Sequence, residues 1–518
     1  MHSKQNSMKN TIKLYSVLLL SIIVIGLFTA CDKNFEEINV NPDASSAASP
    51  QFVFTKAQYD GTANMLNLLL GTMQYTTSFN DVAGYGSKYV TSQNNQTYAA
   101  FTNAFPNEIN ELSIVIKAVQ NDPEQINLLA TAKIWRAYCV SRLTDLYGDI
   151  PFSQSNLGYD SAIYKPVYDS QQSIYAALLS DLENSAIALN ASKPTFGSAD
   201  LIYGGNVTQW KKFAYSMMLR LAMRMTKIDI NAAQSWATKA IAGGTIRETA
   251  DIARVTYVGA GQDINKNPLA LFLWNSDYIA QNGNSNTEGG KYQDVFINHL
   301  KTNNDPRLPV LSVVYQSSAP VNTPSIQKGM PANINNVKPA DFVTFSEPNP
   351  KTVLLLGSPR LVFTAAESNF LLAEAAVRGW YNTETAAVLY QKGIESAMRQ
   401  WAVIAGSAGT IPDTQINAYV SAHPFNSSGS PAQKMEQIYT EFWVGLFPDA
   451  QEVFATYRRT GYPALVPNNY PNNATGGKIF RRMLYPLAEQ NLNADSYKAA
   501  ISRQGADELM TRIWWDKP

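Results

Sequence analysis

Apolar side chains that recur every three or four residues run through this sequence, and that spacing is typical of α-helix. The longest example lies within 124–147. Its apolar residues share one helix face: Leu128, Ala132, Trp135, Cys139, Leu143 and Leu146. Gly148 and Pro151 follow directly, and both residue types disfavour continuing a helix. The pattern therefore predicts a buried helix over 124–147.

The same spacing predicts further helices at 174–186, 213–225, 231–242, 363–377 and 387–401. Short turns join some of these segments, which gives helix–turn–helix pairs at 207–242 and 362–401. Asn, Gly, Ser and Pro are dense between and after the pairs. We therefore predict a mostly α-helical fold, with a helical scaffold mainly in 52–244 and 362–402. The loop-rich parts are expected at 245–350 and 403–480.

The N-terminus has the pattern of an export signal. Lysines within the first 13 residues precede an apolar run over 14–28, which is short for a membrane span. Cys31 follows directly, and a cysteine at this place indicates lipidation of its thiol and its new amino terminus. We predict a signal peptide at 1–30, a tether at 31–50 and a folded domain at 51–518. The alternative is ordinary cleavage beside an incidental cysteine.

Charge and cysteine content exclude several classes of protein. Lys plus Arg and Asp plus Glu each number 41, so no basic surface points to a nucleic-acid partner. The chain has 2 cysteines. Once Cys31 carries lipid, Cys139 has no partner, and its place on an apolar helix face indicates packing. We therefore expect a fold without disulfides.

Most enzyme signatures are missing from the sequence. His299 and His423 stand alone, which argues against a histidine-dependent triad or a histidine-rich metal site. Asp263-x-Asn265-x-Asn267 resembles the start of a calcium loop, but Pro268 stands where such a loop needs glycine. We expect no metal, no cofactor and no catalysis. A surface glycoside hydrolase stays a distant alternative, because it needs only two carboxylates.

Five short motifs resemble a known family. They are Arg142–Pro151 (RLTDLYGDIP), Ala373–Trp380 (AEAAVRGW), Arg458–Pro463 (RRTGYP), Arg482–Pro486 (RMLYP) and Trp514–Asp516 (WWD). In this order, behind a lipoprotein signal, they resemble the SusD/RagB family of nutrient-binding outer-membrane lipoproteins, in its second large branch. The motifs themselves are expected to be structural. Gly148 and Gly379 are predicted to cap helices, and Arg458 or Arg459 to pair with a carboxylate.

The resemblance implies a SusD-like fold with tetratricopeptide-like helix pairs as scaffold and a loop-rich ligand-binding part. It also implies a partner, a SusC-like TonB-dependent transporter, and a place on the outer membrane. There the protein would be held by lipid on Cys31 and would face the cell exterior. The expected function is capture of a nutrient, most simply an oligosaccharide. A peptide-binding member of the same family is the alternative.

Ligand capture calls for aromatic platforms that cover the C–H face of a sugar, with amides and carboxylates that bond its hydroxyls. Two zones of the sequence carry such sets, and the resemblance places binding aromatics in the same zones. The predicted ligand-binding residues are Asn80, Asp81, Tyr85, Tyr89 and Tyr98 in the first zone, and Trp274, Asn275 and Tyr278 in the second. For each aromatic, packing is the alternative. Should they fail, 320–350 and 403–432 are the next regions to search.

Overall fold

α-Helices make up most of this protein in the computed structural model, which describes residues 49–80, 86–89, 95–275 and 290–518. The mostly helical fold that the sequence predicts is confirmed. Cys31 and the predicted signal peptide lie outside the described residues. The helices of the N-terminal part are α1 (Pro50–Ala63), α2 (Leu69–Thr72), α3 (Asn95–Ala104), α4 (Asn110–Val119), α5 (Ile126–Tyr147), α6 (Gly158–Ser161), α7 (Gln171–Ala188), α8 (Val207–Arg224) and α9 (Ile230–Gly243).

Helix α5 shows how the sequence pattern becomes structure. It spans the predicted range almost residue for residue, and its apolar stripe is buried. Gly148 ends it with φ +81°, a left-handed conformation that L side chains adopt at a cost. A Cβ at this position would also lie 2.1 Å from Oε1 of Gln504. The predicted capping role of Gly148 is therefore confirmed.

The middle of the chain consists of short elements. Its helices are α10 (Pro268–Asn275), α11 (Asp294–Thr302) and α12 (Leu308–Leu311). Three antiparallel pairs are formed by β1 (Thr76–Ser78) with β5 (Gly290–Tyr292), β2 (Ile150–Pro151) with β3 (Tyr168–Asp169), and β4 (Ala253–Val255) with β9 (Arg360–Phe363). In a three-stranded antiparallel sheet, β6 (Ser312–Gln316) lies between β7 (Ala319–Val321) and β8 (Glu347–Pro348). The prediction of a part with little regular structure at 245–350 agrees with this.

The C-terminal part returns to long helices. They are α13 (Ala365–Val377), α14 (Ala386–Ala405), α15 (Asp413–Ala422), α16 (Pro431–Leu446), α17 (Ala450–Thr460), α18 (Leu487–Leu492) and α19 (Ala494–Gln504). The prediction that 403–480 is loop-rich is wrong between 413 and 460. Helix α16 begins with a capping box between Ser430 and Gln433 and buries Phe442 and Trp443. A polar stretch rich in Ser and Gly precedes α16, so the spacing of apolar residues does not show where this helix begins.

The predicted helix pairs pack as pairs: α8 lies against α9, and α13 lies against α14. Gly393 permits the second contact, since a Cβ there would lie 2.5 Å from the ring of Phe370. Helix α16 packs on the α13–α14 pair, and α7 packs on both α5 and α8. Bare helices of these lengths would be marginal in water, so the buried faces of the pairs supply most of the stability.

A lattice of buried ion pairs ties α5, α8, α13 and α17 together. Nε and Nη2 of Arg220 donate to both carboxylate oxygens of Glu367 at 2.6 and 2.8 Å. Nη1 and Nη2 of Arg459 donate to Glu374 at 2.8 and 2.7 Å. The prediction that Arg458 or Arg459 pairs with a carboxylate is confirmed for Arg459. Glu374 also pairs with Arg378, and Arg220 with Glu452. Removing one charge from this lattice leaves its buried partner without its bidentate counter-charge, which is costly.

The pKa values of two carboxylates in this lattice show how tightly it is held. Burial alone raises the pKa of Glu374, but Arg459 more than offsets it and the pKa falls to about 2. Burial likewise raises the pKa of Asp449, and Arg142 with Arg360 brings it down to about 2. Both side chains are therefore ionised at neutral pH inside the protein. We call the contact of α5, α8, α13 and α17 the scaffold junction. Its buried charges are neutralised by one another.

Candidate functional site

The strand just before the first predicted ligand-binding zone pairs with the strand that follows the second. These strands are β1 and β5, and they pair antiparallel with Ser78 opposite Gly290. Asp81, Tyr85 and Tyr278 lie outside the described residues. After the role that the sequence predicts, we use the name ligand face for this edge, the residues 79–80, 86–89 and 330–345 around it, and the second-zone residues 274–275.

A small separate core supports the ligand face. It is built from Phe79, Met330, Phe342 and Phe345, and the rings of Phe79 and Phe342 meet edge to face with centroids 5.3 Å apart. The backbone of β5 continues the support on its other side. Tyr292 N–H donates to the carbonyl of Ser346 at 2.9 Å, and its own carbonyl accepts from Met330 N–H at 2.8 Å. Loops from three parts of the chain are thus fixed to one short strand.

A buried ion pair lies in the same support. Lys291, on β5, pairs with Glu347, on β8, and its Nζ lies 4.3 Å from the centroid of the Phe342 ring. Burial lowers the pKa of Lys291 and raises that of Glu347, since each charged form loses its water. Neither residue was predicted from the sequence, because nothing in 245–350 indicates which strands pair.

Two loops enclose residues 86–89. One lies in 320–350, a region that the sequence left as the next to search, and the other lies in 462–480, which was not selected. Nζ of Lys88 donates to the carbonyls of Phe79 at 3.0 Å and Ile334 at 2.6 Å, and lies 4.6 Å from the centroid of the Tyr470 ring. Nδ2 of Asn468 donates to the Ala332 carbonyl at 2.9 Å. The only sequence signal was the density of Asn, Gly and Pro in 320–350 and 462–480. Both loops belong to the wall of the ligand face.

The structure places the predicted aromatics in different environments. Tyr89 has φ +53° and is fully buried, with its ring edge to face against Phe480 at 5.6 Å. Packing therefore accounts for its ring. Tyr98 on α3 is half-buried. Trp274 is half-buried in the last turn of α10 and packs partly on the main core. Of the three, Trp274 and Tyr98 keep surface that a ligand could cover.

Two predicted polar residues flank these aromatics. Asn80 is half-buried, and its backbone N–H donates to Oγ of Ser78 at 2.9 Å, which closes the turn after β1. Asn275 is the last residue of α10. Asn275 directly follows Trp274 in the chain.

A second concave surface runs between the end of α11 and helices α15 and α16. It consists of two adjoining cavities of about 840 and 500 Å³, which share Asn303, Ala422 and His423. We call it the His423 groove. Its walls come from residues 299–309, 324–325 and 415–441. His299 and His423, which stand alone in sequence, both line it, and burial lowers the pKa of His299.

A third cavity lies inside the scaffold beneath α10. Its volume is about 50 Å³, and Leu269, Arg360, Gln400 and Asp449 line it. Such a volume holds a few water molecules and is too small for a sugar ring. Oε1 of Gln400 is buried in it without a protein partner, which suits a bound water. The charged residues of this cavity belong to the ion-pair lattice.

Neither a cluster of metal ligands nor a membrane-spanning helix is found in the described ranges. Within residues 49–80, 86–89, 95–275 and 290–518, no three His, Cys, Asp or Glu side chains come together as metal ligands would. Among the helices described, none has both the length and the apolar character needed to cross a membrane.

A scaffold of paired helices that carries a loop-built face on its own small core defines a ligand-binding protein. The comparisons name the family. The model of the SusD-like family, described as starch-binding and associating with the outer membrane, matches residues 42–486. The chain belongs to this family, whose members are carbohydrate-binding proteins associated with the outer membrane. No curated protein matches the chain.

Solved structures agree with this assignment. A chitin-binding protein is 30% identical, with a TM-score of 0.77 over 90% of this chain and 100% of its own. A SusD-like protein of Bacteroidetes AC2a is 24% identical, with a TM-score of 0.79 over 91% and 100%. A chitin-binding SusD homologue from Flavobacterium johnsoniae is 23% identical, with a TM-score of 0.70 over 90% and 97%. The last two establish the fold alone.

Proposed function

We propose that this protein is a lipid-anchored protein of the outer membrane, facing the cell exterior, that captures an oligosaccharide for a SusC-like TonB-dependent transporter. The observation that carries the proposal is the β1–β5 pair, in which the strand before the first aromatic and amide-rich zone pairs with the strand that follows the second. The contact with the transporter is expected to bury roughly 2,000 Å² or more in total, as stable assemblies do.

The ligand face has the chemistry that a sugar requires. A half-buried tryptophan or tyrosine covers the C–H face of a ring, which adds on the order of 1 kcal/mol beyond the area buried. Trp274 and Tyr98 are the proposed platforms, and Asn80, Asp81 and Asn275 are the proposed partners of the ring hydroxyls. Because the 30%-identical structure is of a chitin-binding protein, we propose chitin oligosaccharides as the first ligands to test.

Binding without turnover is the central test of this function. Calorimetry with chitopentaose should show saturable binding, and chromatography of the same mixture after a long incubation should return the sugar uncleaved. Hydrolysis that disappears when a single carboxylate is replaced would favour a glycoside hydrolase instead. Displacement of bound sugar by short peptides, with tighter peptide binding, would favour the peptide-binding alternative.

Trp274→Ala tests the ligand face directly. The change should weaken chitopentaose binding about tenfold or more while costing little stability, because the indole is only half-buried. Tyr85→Ala or Tyr98→Ala should have a similar effect. Trp236→Ala is the matched control, since Trp236 is also half-buried but lies on α9 of the scaffold. If all the ligand-face variants bind as the wild type does, the assignment of this face fails.

Cys31→Ala tests the anchor. The variant is expected to leave the outer-membrane fraction in cells that lack the transporter, because two or three acyl chains supply the attachment. Cys139→Ala is the control. Cys139 is buried in the core, so its replacement should leave the protein in the membrane fraction. Continued membrane association of the Cys31 variant would contradict lipid anchoring.

A further inference from the structure

The His423 groove lies apart from the ligand face along a helix that both share. Strand β5 at the ligand face leads through Gln293 into α11, and the groove is lined by the last residues of that helix and the turn after it. Nine helical residues span about 13 Å. The groove is therefore a separate surface, and none of the predicted ligand-binding residues lines it.

Two buried carboxylates in the wall of the groove, Asp305 and Glu441, are paired with a buried arginine of the protein itself. Nη2 of Arg307 donates to Asp305 at 2.6 Å and to Glu441 at 2.9 Å, and the hydroxyl of Tyr419 donates to Glu441 at 2.6 Å. Nζ of Lys301 donates to the carbonyl of Gln327 at 2.7 Å. Glu436 is exposed in the wall. A surface whose charges are mostly compensated in this way favours a neutral ligand.

An aromatic platform of fixed orientation stands where the two cavities join. The ring of His423 stacks on that of Tyr419, with centroids 4.1 Å apart and planes inclined by 30°. Nδ1 of His423 lies 2.9 Å from the carbonyl oxygen of Tyr419, which holds the imidazole in place. Tyr419 is 4% exposed and His423 lines both cavities. A flat ring on a rigid base is suited to the C–H face of a sugar.

The rest of the wall supplies apolar patches and uncharged hydrogen-bonding groups. The apolar patches include the rings of Pro306, Pro309 and Pro324. The polar groups include the amides of Asn303, Gln415, Asn426 and Gln433 and the hydroxyl of Thr440. Each of the two cavities falls in the size range of ligand sites, and they adjoin, so the groove has room for more than one sugar unit. Apolar faces edged by amides match a chain of several neutral sugar units.

We propose that the His423 groove is a second binding site for a neutral oligosaccharide, with the His423–Tyr419 stack as its platform. The choice of ligand class rests on the proposed function, and the location rests on the groove alone. Two sites about one helix length apart on the same protein would hold a long glycan more tightly than either site by itself.

Filling the groove tests the proposal without removing any packing. Ala422 is exposed and lines both cavities, so Ala422→Trp should block the groove and leave the fold intact. Ala176→Trp, at an exposed position of α7, is the matched control. Calorimetry with chitopentaose should show two binding equivalents in the wild type and the control, and one in the Ala422 variant. Trp274→Ala should remove the other.

A second variant probes the platform. His423→Ala should weaken the groove site about tenfold, and His423→Phe should restore most of that loss because it keeps the ring. If both Ala422→Trp and His423→Ala bind chitopentaose as the wild type does, the inference is overturned while the proposed function stands. If the groove binds short peptides and not sugar, it is also overturned. If the wild type binds no sugar at either site, both proposals fall.

Discussion

The scaffold junction and the ligand face are held together by different kinds of contact. At the junction, α5, α8, α13 and α17 meet through buried ion pairs such as Arg220–Glu367 and Arg459–Glu374. At the ligand face, loops are fixed mainly by bonds from side chains to backbone carbonyls, as Lys88 and Asn468 show. The first arrangement demands a particular residue on each of two helices. The second demands only the donor side chain, because the accepting residue contributes its backbone carbonyl. The accepting loops can therefore carry other side chains and keep their position.

The motifs that carry the family resemblance are all found at the junction. Glu374, in the second motif, pairs with Arg459 in the third. Nε1 of Trp515, in the fifth, donates to Asp145 in the first at 2.9 Å. The hydroxyl of Tyr485, in the fourth, donates to the carbonyl of Asp149, also in the first. Nη2 of Arg458, in the third, donates to the carbonyl of Asp145 in the first. The five motifs therefore form one contact network.

Breaking an ion pair of the lattice is expected to have the largest effect. Arg459→Met leaves Glu374 fully buried without its bidentate partner and should lower the free energy of unfolding by about 3–5 kcal/mol. Chemical denaturation at pH 7 measures the loss. Lys193→Met, which breaks the exposed pair with Glu124, is the control and should cost less than about 1 kcal/mol. Equal losses of unfolding free energy in the two variants would show that the buried ion pair contributes no more than the exposed one.

Tyr89→Ala measures how firmly the ligand face is joined to the scaffold. Tyr89 is fully buried against Phe480, so the change should cost about 3 kcal/mol of stability by leaving a cavity. Trp274→Ala, on the same face but half-buried, should cost clearly less and reduce sugar binding instead. Melting and affinity measured on both variants separate the two roles. A stable Tyr89 variant with weakened binding would return Tyr89 to the ligand-contact set.

Glu108 offers a smaller and pH-dependent effect, because no arginine of the described part of the chain forms an ion pair with it. It lies in the π-helical turn between α3 and α4 and accepts a hydrogen bond from Nδ2 of Asn64 at 2.7 Å. Burial raises its pKa to about 7, above the value of about 4.5 expected in the unfolded chain. The folded state thus holds the proton more tightly, and stability should fall as the pH rises from about 4.5 to about 7.

Glu108→Gln should remove this decline. The amide keeps the bond from Asn64 but cannot ionise, so the variant should be more stable than the wild type by about 3 kcal/mol at pH 8 and equal to it near pH 4.5. Unfolding curves at the two pH values give the comparison. The nearby Glu111, whose pKa burial also raises to about 7, keeps a similar decline in both proteins. An unchanged pH profile would mean that Glu108 is solvated.

Much of the scaffold follows from the sequence, because an amphipathic helix carries its own signature within a few turns. The spacing of apolar residues predicts α5, α7, α8, α9, α13 and α14, and Gly148 predicts the end of the first of them. Helices α15–α17 were missed in the loop-rich range, although Ser430 and Gln433 form a capping box at the start of α16. The capping box is a local sequence feature, so the start of α16 can be predicted from the sequence alone.

The candidate sites followed from the sequence only in part. Residue type selected the two aromatic zones, but it could not distinguish Tyr89, which packs on Phe480, from the half-buried Trp274. It also left His299 and His423 as isolated residues. The fold brings both to one groove, since α11 and α15 come together only through the packing of helices distant in sequence.

The sequence by itself determined the helix pairs, the family and the residue types available for binding, because periodicity, capping and motifs are properties of short segments. The tertiary structure alone decided which strands pair, which charges neutralise one another and which rings are buried. Ser78 lies opposite Gly290 in the β1–β5 pair, although the two strands are distant in the chain. A strand of three residues has too few side chains to specify its neighbour, so the choice is made by the packing around it.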